Sequence, residues 1–107
     1  MFHVHELRRA QADVRSVAHW PNERSPQGAQ AWLRAYDEMI SRLEQQPESC
    51  GPAMESKDCD LDVRQVLFKT RRGRVYRALF LIDNQNVYIL RVRGPGQAPV
   101  KPEELGA

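Results

Sequence analysis

The chain is short of cysteine, of long apolar runs and, across one region, of acid. Each shortage narrows what it can be. Two cysteines, Cys50 and Cys59, occur in 107 residues. A secreted domain of this size usually carries several bridges, so a reducing, cytoplasmic setting is expected. A reversible Cys50–Cys59 disulfide is sterically possible, and nothing in the sequence demands it. Zinc favours closely spaced ligand pairs, and eight residues between Cys50 and Cys59, with His3 and His5 far upstream, match that poorly; neither metal nor cofactor is expected. No apolar run approaches the roughly 18 residues that span a bilayer. The opening Met1-Phe2-His3-Val4-His5-Glu6 lacks the basic-then-apolar layout of a secretory signal, so no membrane association is expected.

Acid is scarce where base is abundant. Between Arg64 and Arg93 lie Arg64, Lys69, Arg71, Arg72, Arg74, Arg77, Arg91 and Arg93 against the single acid Asp83. The formal net charge of +2 hides this segregation. Residues 1–60 hold seven Lys/Arg and ten Asp/Glu, a balance of −3, whereas residues 61–107 hold nine and four, a balance of +5. A basic segment of this kind concentrates polyanions, nucleic acid above all.

The length fits one domain with a modest core. Alternation in Phe2-His3-Val4-His5 predicts a short first strand with Phe2 and Val4 inward. From Leu7 the period becomes helical, with Leu7, Ala10, Val14 and Val17 on one face, and Pro21 ends that helix near His19 or Trp20. Ser25 as N-cap and Pro26 in the first turn open a second helix. Its stripe is Ala29, Trp32, Leu33, Tyr36, Met39, Ile40 and Leu43, and Pro47 closes it. The short connection predicts an antiparallel helical hairpin. Trp20 and Trp32 read as core packing between the helices. A loop of Pro, Gly, Ser and acids runs from Pro47 to Asp62. Three strands follow, over 63–68, 74–82 and 87–93, with turns at Thr70-Arg71-Arg72-Gly73 and Asp83-Asn84-Gln85-Asn86. The fold class is therefore α+β: an N-terminal strand, a helical hairpin and a three-stranded antiparallel meander, with the helices on one face of a small twisted sheet. The domain is assigned to residues 1–94, and 95–107 form a Gly/Pro-rich tail expected to wander over the surface.

Period-two arithmetic sorts the strand residues. Tyr76, Ala78, Phe80 and Ile82, with Tyr88, Leu90 and Val92, are assigned to the helix-covered side. Val75, Leu79, Leu81, Val87 and Ile89 then share the opposite side with Arg77, Arg91 and Arg93. Apolar surface left open on a small domain marks a partner site. The alternative is that the loop or the tail folds back over that side.

The order of elements, with Gly73-Arg74-Val75-Tyr76-Arg77-Ala78-Leu79-Phe80 and Asn86-Val87-Tyr88-Ile89-Leu90-Arg91-Val92, resembles the RelE/ParE superfamily of type II toxin–antitoxin toxins. The stretch Leu7-Arg8-Arg9-Ala10-Gln11-Ala12-Asp13 is similar to that superfamily's first helix. The resemblance implies a cytoplasmic growth inhibitor held by a cognate antitoxin, as a hetero-oligomer or a homodimer. It implies one of two targets: mRNA, cut on the ribosome, or DNA gyrase, inhibited by protein binding without catalysis. A non-catalytic toxin-fold binding protein is the third reading. Arg77 matches the strand arginine of the nucleolytic branch. The late Tyr or His of several nucleases is missing, since no tyrosine follows Tyr88 and no histidine follows His19.

Metal-free RNA cleavage needs a proton acceptor, a proton donor and positive charge on the phosphorane. Arginine suits the last task, because its planar donor fork matches phosphate and stays charged. The catalytic candidates are Arg77 and Arg91 on the phosphate and Lys69 in proton transfer. Arg64, Arg71, Arg72, Arg74 and Arg93 are the RNA-backbone candidates. Val75, Leu79, Leu81, Val87 and Ile89 are the antitoxin-binding candidates. RNA cleavage is the leading expectation and gyrase inhibition the alternative.

Overall fold

The computed structural model describes residues 1–18 and 25–105. The first alternating stretch forms β1 (His3–Glu6), and the helical period that follows forms α1 (Arg8–Ala18). Trp20 and the predicted end of the first helix lie outside the described residues. The second helix, α2 (Pro26–Gln45), begins where its cap predicts. The Ser25 hydroxyl accepts a hydrogen bond from the Gly28 N–H at 2.9 Å, and Pro26 occupies the first turn, where a missing N–H costs nothing. Pro47 follows the helix at its C-terminal end and starts a short 3₁₀ turn, Pro47–Ser49.

The meander consists of β2 (Arg64–Phe68), β3 (Tyr76–Asp83) and β4 (Asn86–Arg93). The sheet order is β1-β4-β3-β2, with β1 parallel to β4 and the other pairs antiparallel. In the tight β3–β4 turn, Asn84 takes a left-handed backbone (φ 55°), which asparagine tolerates better than most residues.

One side of the sheet carries the main core. Ala10 and Val17 of α1 and Trp32, Tyr36, Met39 and Leu43 of α2 pack there on Val66, Phe68, Tyr76, Ala78 and Phe80. The aromatic residues interlock. Trp32 stacks on Tyr36 with centroids 5.5 Å apart and meets Phe68 and Tyr76 edge-on, geometries that suit the ring quadrupole. Trp32 is thus a core residue, set against the sheet. Phe80, Leu43 and Ile89 are fully buried, and each such side chain stabilises the fold by about 1.5–3 kcal/mol.

The period-two assignment holds along β3 and fails in the first half of β4. Val87 and Ile89 sit in the helix-side core, whereas Leu90 sits on the opposite side beside Leu79. The cause is a bulge. Ile89 pairs with Phe80 and Arg91 with Leu79, so Leu90 is an extra residue facing two consecutive residues of β3. One unpaired residue inverts the alternation beyond it. The assignment is right again after the bulge, where Val92 returns to the helix side and Arg91 pairs with Leu79.

The opposite side is not open, as had been expected, but carries a second core. Ala53 and Val63 from the loop region and Val100 and Leu105 from the tail pack on Leu79 and Leu90, with Leu7 and Leu81 at the margin. The tail therefore does not wander. It has little regular structure beyond a short 3₁₀ turn at Pro102–Glu104, yet Val100 and Leu105 are buried. Of the five residues expected to form an open apolar patch, Leu79, Val87 and Ile89 are completely buried and Leu81 is half-buried; Val75 alone is exposed, at 50%.

Candidate functional site

The structure divides the eight bases of the meander into two groups. In the first, each cation is already engaged. Arg77 forms a two-pronged ion pair with Glu55, Nη1 to Oε1 at 2.8 Å and Nη2 to Oε2 at 2.6 Å, and Nη1 also reaches Gln65 Oε1 at 3.3 Å. Arg91 holds Asp13 of α1 in the same way, through Nε and Nη2 at 2.8 and 2.9 Å. Glu104 of the tail bridges Arg91 and Arg93, each at 3.3 Å. Arg64 is turned along the loop, its Nη1 donating to the carbonyls of Glu48 and Cys50. Arg77 and Arg93 are cross-strand partners on one face, so their like charges would repel without these carboxylates. Three arginines thus meet three acids.

Glu55 is the residue the sequence did not single out. The loop that carries it is ordered by its own hydrogen bonds. The Ala53 N–H donates to the Val63 carbonyl at 2.9 Å and the Gln65 N–H to the Gly51 carbonyl at 3.1 Å, so the loop runs beside β2. The Ser56 hydroxyl donates to the Leu61 carbonyl and accepts from the Val63 N–H. A 3₁₀ turn, Met54–Asp58, then aims Glu55 beneath the tail. Its side chain is 1% exposed, and its Oε2 also accepts from the Val100 N–H at 3.0 Å. Burial pushes this carboxyl upward. The Arg77 hydrogen bonds, the Val100 N–H and the Arg77 charge together outweigh burial and hold it below its ordinary 4.5. At α1, Asp13 accepts from both the Arg91 guanidinium and the Val92 N–H. The Asp13 hydrogen bond raises the Arg91 guanidinium pKa further, against the opposing effect of burial.

The second group is Lys69, Arg71, Arg72 and Arg74, in the β2–β3 turn. All four are exposed, and among the described residues none forms an ion pair or side-chain hydrogen bond. The turn is tight: the Gly73 N–H donates to the Thr70 carbonyl at 3.2 Å. A side-chain carbon at Gly73 would meet the Thr70 hydroxyl, which would have to turn away. Arg71 and Arg72 occupy the two central positions and project from the tip. Of the catalytic candidates, Arg77 and Arg91 lie within ion pairs of the sheet, and Lys69 lies exposed just beyond β2 with no bond to either.

His5 pairs locally. His5 Nε2 lies 2.9 Å from Asn86 Oδ1, and the ring stacks on Tyr88. Cys50 and Cys59 are both free thiols. Tyr36 donates to Glu6 Oε2 at 2.9 Å, and its phenol pKa is raised by burial first and then by the charge and hydrogen bond of Glu6. Among the described residues no three His, Cys, Asp or Glu side chains gather as a metal site would require, and no helix is long and apolar enough to cross a membrane.

A strand, two helices and an antiparallel meander, with base concentrated on the last three strands, are the architecture that the resemblance to RelE/ParE toxins implies. The profile of the ParE toxin of the type II toxin–antitoxin system parDE matches residues 7–99. The chain belongs to this ParE toxin family. A solved structure described as the chromosomal ParDE toxin–antitoxin system from P. aeruginosa superposes with a TM-score of 0.64 and is 22% identical in sequence. The match covers 88% of this chain and 96% of that one. No curated protein matches the chain at a significant level. The family places the protein as the toxin half of a toxin–antitoxin pair, which implies a cognate antitoxin.

Proposed function

We propose that this toxin acts on DNA gyrase by binding it, without cutting RNA. The observation that carries the reading is the Arg77–Glu55 pair. Arg77 holds the position that resembles the strand arginine of nucleolytic relatives, and here its donor fork is filled by a carboxylate at 2.6 and 2.8 Å. The Nη face of this guanidinium is taken and its charge is matched by a carboxylate, so it is poorly placed to stabilise a phosphorane. Arg91 is occupied in the same way by Asp13. The late histidine or tyrosine that serves acid–base chemistry in several nucleases is also missing, because no histidine follows His19 and no tyrosine follows Tyr88. Membership of the ParE family supports the same reading, since it is the ParE-like branch that resembles gyrase inhibitors.

The test is direct. Purified toxin is added to gyrase with relaxed plasmid and, separately, to ribosomes programmed with mRNA. Loss of supercoiling with intact mRNA is the expected outcome. Cleaved mRNA with supercoiling untouched would overturn the reading.

A further inference from the structure

We propose that the β2–β3 turn is a docking site for the phosphate backbone of duplex nucleic acid, built from Lys69, Arg71, Arg72 and Arg74. The inference goes beyond gyrase inhibition and does not depend on it. It begins from the contrast between the two groups of bases. The sheet arginines Arg77, Arg91 and Arg93 are matched by Glu55, Asp13 and Glu104. The turn places four cations within six residues and, among the described residues, matches none of them. Clustered like charges repel, and an uncompensated cluster of this size lowers stability unless a polyanion relieves it. Among the described residues, Glu38 of α2 lines a shallow groove with Lys69 and is itself accompanied there by Arg42.

The shape of the site selects a duplex over a single strand. Single-strand sites stack bases on exposed aromatic rings. The aromatic residues flanking this turn, Phe68 and Tyr76, are buried in the main core, while the exposed apolar neighbours are the aliphatic Leu67 and Val75. An exposed turn with charge and, among the described residues, no stacking platform fits a continuous phosphate backbone. Arg71 and Arg72 at the tip and Lys69 and Arg74 on its flanks can contact phosphates without reading sequence.

Four phosphate contacts set the magnitude. Each displaces condensed counterions, so the logarithm of the binding constant should fall with the logarithm of salt with a slope of about −3.5, or about 100-fold between about 50 and 200 mM salt. The experiment is fluorescence anisotropy of a labelled 20-base-pair DNA duplex with the full-length toxin. The tip variant is Lys69→Gln, Arg71→Gln, Arg72→Gln and Arg74→Gln combined. A charge-matched variant carries Arg8→Gln, Arg15→Gln, Arg34→Gln and Lys57→Gln, all at exposed positions. The proposal expects wild type and the charge-matched variant to bind within about threefold of each other with the stated salt slope. The tip variant should lose at least about 50-fold with a nearly flat salt response, at unchanged circular dichroism. Equal loss in both variants would reduce the effect to net charge and overturn the site. So would absence of binding by wild type at low salt, tighter binding of a single-stranded RNA of equal length, or equal binding of polyglutamate. Because gyrase is absent from the assay, failure here leaves the target reading intact, and the converse also holds.

Discussion

Breaking the Glu55–Arg77 pair is the most informative perturbation of the fold. Glu55→Ala removes two short charge-assisted hydrogen bonds and the acceptor of the Val100 N–H. Losing one partner of a buried pair costs about 3–5 kcal/mol, and an orphaned buried N–H about 1–3 kcal/mol. Arg77 softens the loss, because its side chain is 18% exposed and keeps Gln65 as a partner. The expected cost of Glu55→Ala is therefore about 3 kcal/mol. Arg77→Ala strands a carboxylate that is 1% exposed, and should cost about 4 kcal/mol. With a urea slope of about 1.5 kcal/mol per molar, either variant lowers the unfolding midpoint by about 2 M or more. The double variant Glu55→Ala, Arg77→Ala leaves no charge unpaired and should be no less stable than either single, against about 7 kcal/mol for additive effects, a coupling of about 4 kcal/mol. The pH dependence has a definite sign. The folded Glu55 carboxyl lies below its ordinary 4.5, so its contribution is complete above that value and is lost as pH falls through the lower folded pKa. The gap between wild type and Glu55→Gln should persist at pH 7 and shrink in acid. Single variants costing under about 1 kcal/mol, or additive effects in the double, would refute the pairing as the element that closes this side of the sheet.

Other perturbations test neighbouring parts of the structure. Ser25→Ala removes the side-chain acceptor for the Gly28 N–H and should cost about 1 kcal/mol in urea unfolding. Truncation after Gly94 removes Val100, Leu105 and Glu104 together, uncovering Leu79 and Leu90; strong binding of a hydrophobic dye and a lower melting temperature are expected, and an unchanged melting curve would show that the tail does not cover a core. In alkaline titration Tyr36 should remain a phenol beyond the normal tyrosine range of about 10, because ionisation would place a second negative charge against Glu6; Tyr36→Phe should therefore leave the ionising tyrosine absorbance near pH 11 unchanged.

What the sequence made legible depended on whether a local rule stayed unbroken. The second helix could be read from Ser25, Pro26 and one uninterrupted apolar stripe, and the faces of β3 from strict alternation. On β4 the same arithmetic misplaced Val87 and Ile89, because the bulge at Leu90 is made by an ordinary leucine with no glycine to announce it. The concentration of base was visible, but its neutralisation was not. Nothing in the sequence distinguishes Glu55 from Glu48, Asp58 or Asp60; the distinction comes from the 3₁₀ turn at Met54–Asp58, in a loop that lies along β2. The tail was read correctly as irregular, and incorrectly as loose. Val100 and Leu105 are only two apolar residues among glycines and prolines, yet they reach the groove that Leu79 and Leu90 leave open. For the candidate site, the turn residues Arg71, Arg72 and Arg74 emerged from charge alone, and the structure separates them from the sheet arginines.

The central claim is that the sheet arginines hold the fold together and leave the toxin to act by binding gyrase. It is tested most directly by inducing the toxin in a bacterial host without its antitoxin and pulse-labelling DNA and protein synthesis over the first minutes. The account expects DNA synthesis to stop first, with protein synthesis declining only afterwards. Translation collapsing first, with replication still running, would contradict it.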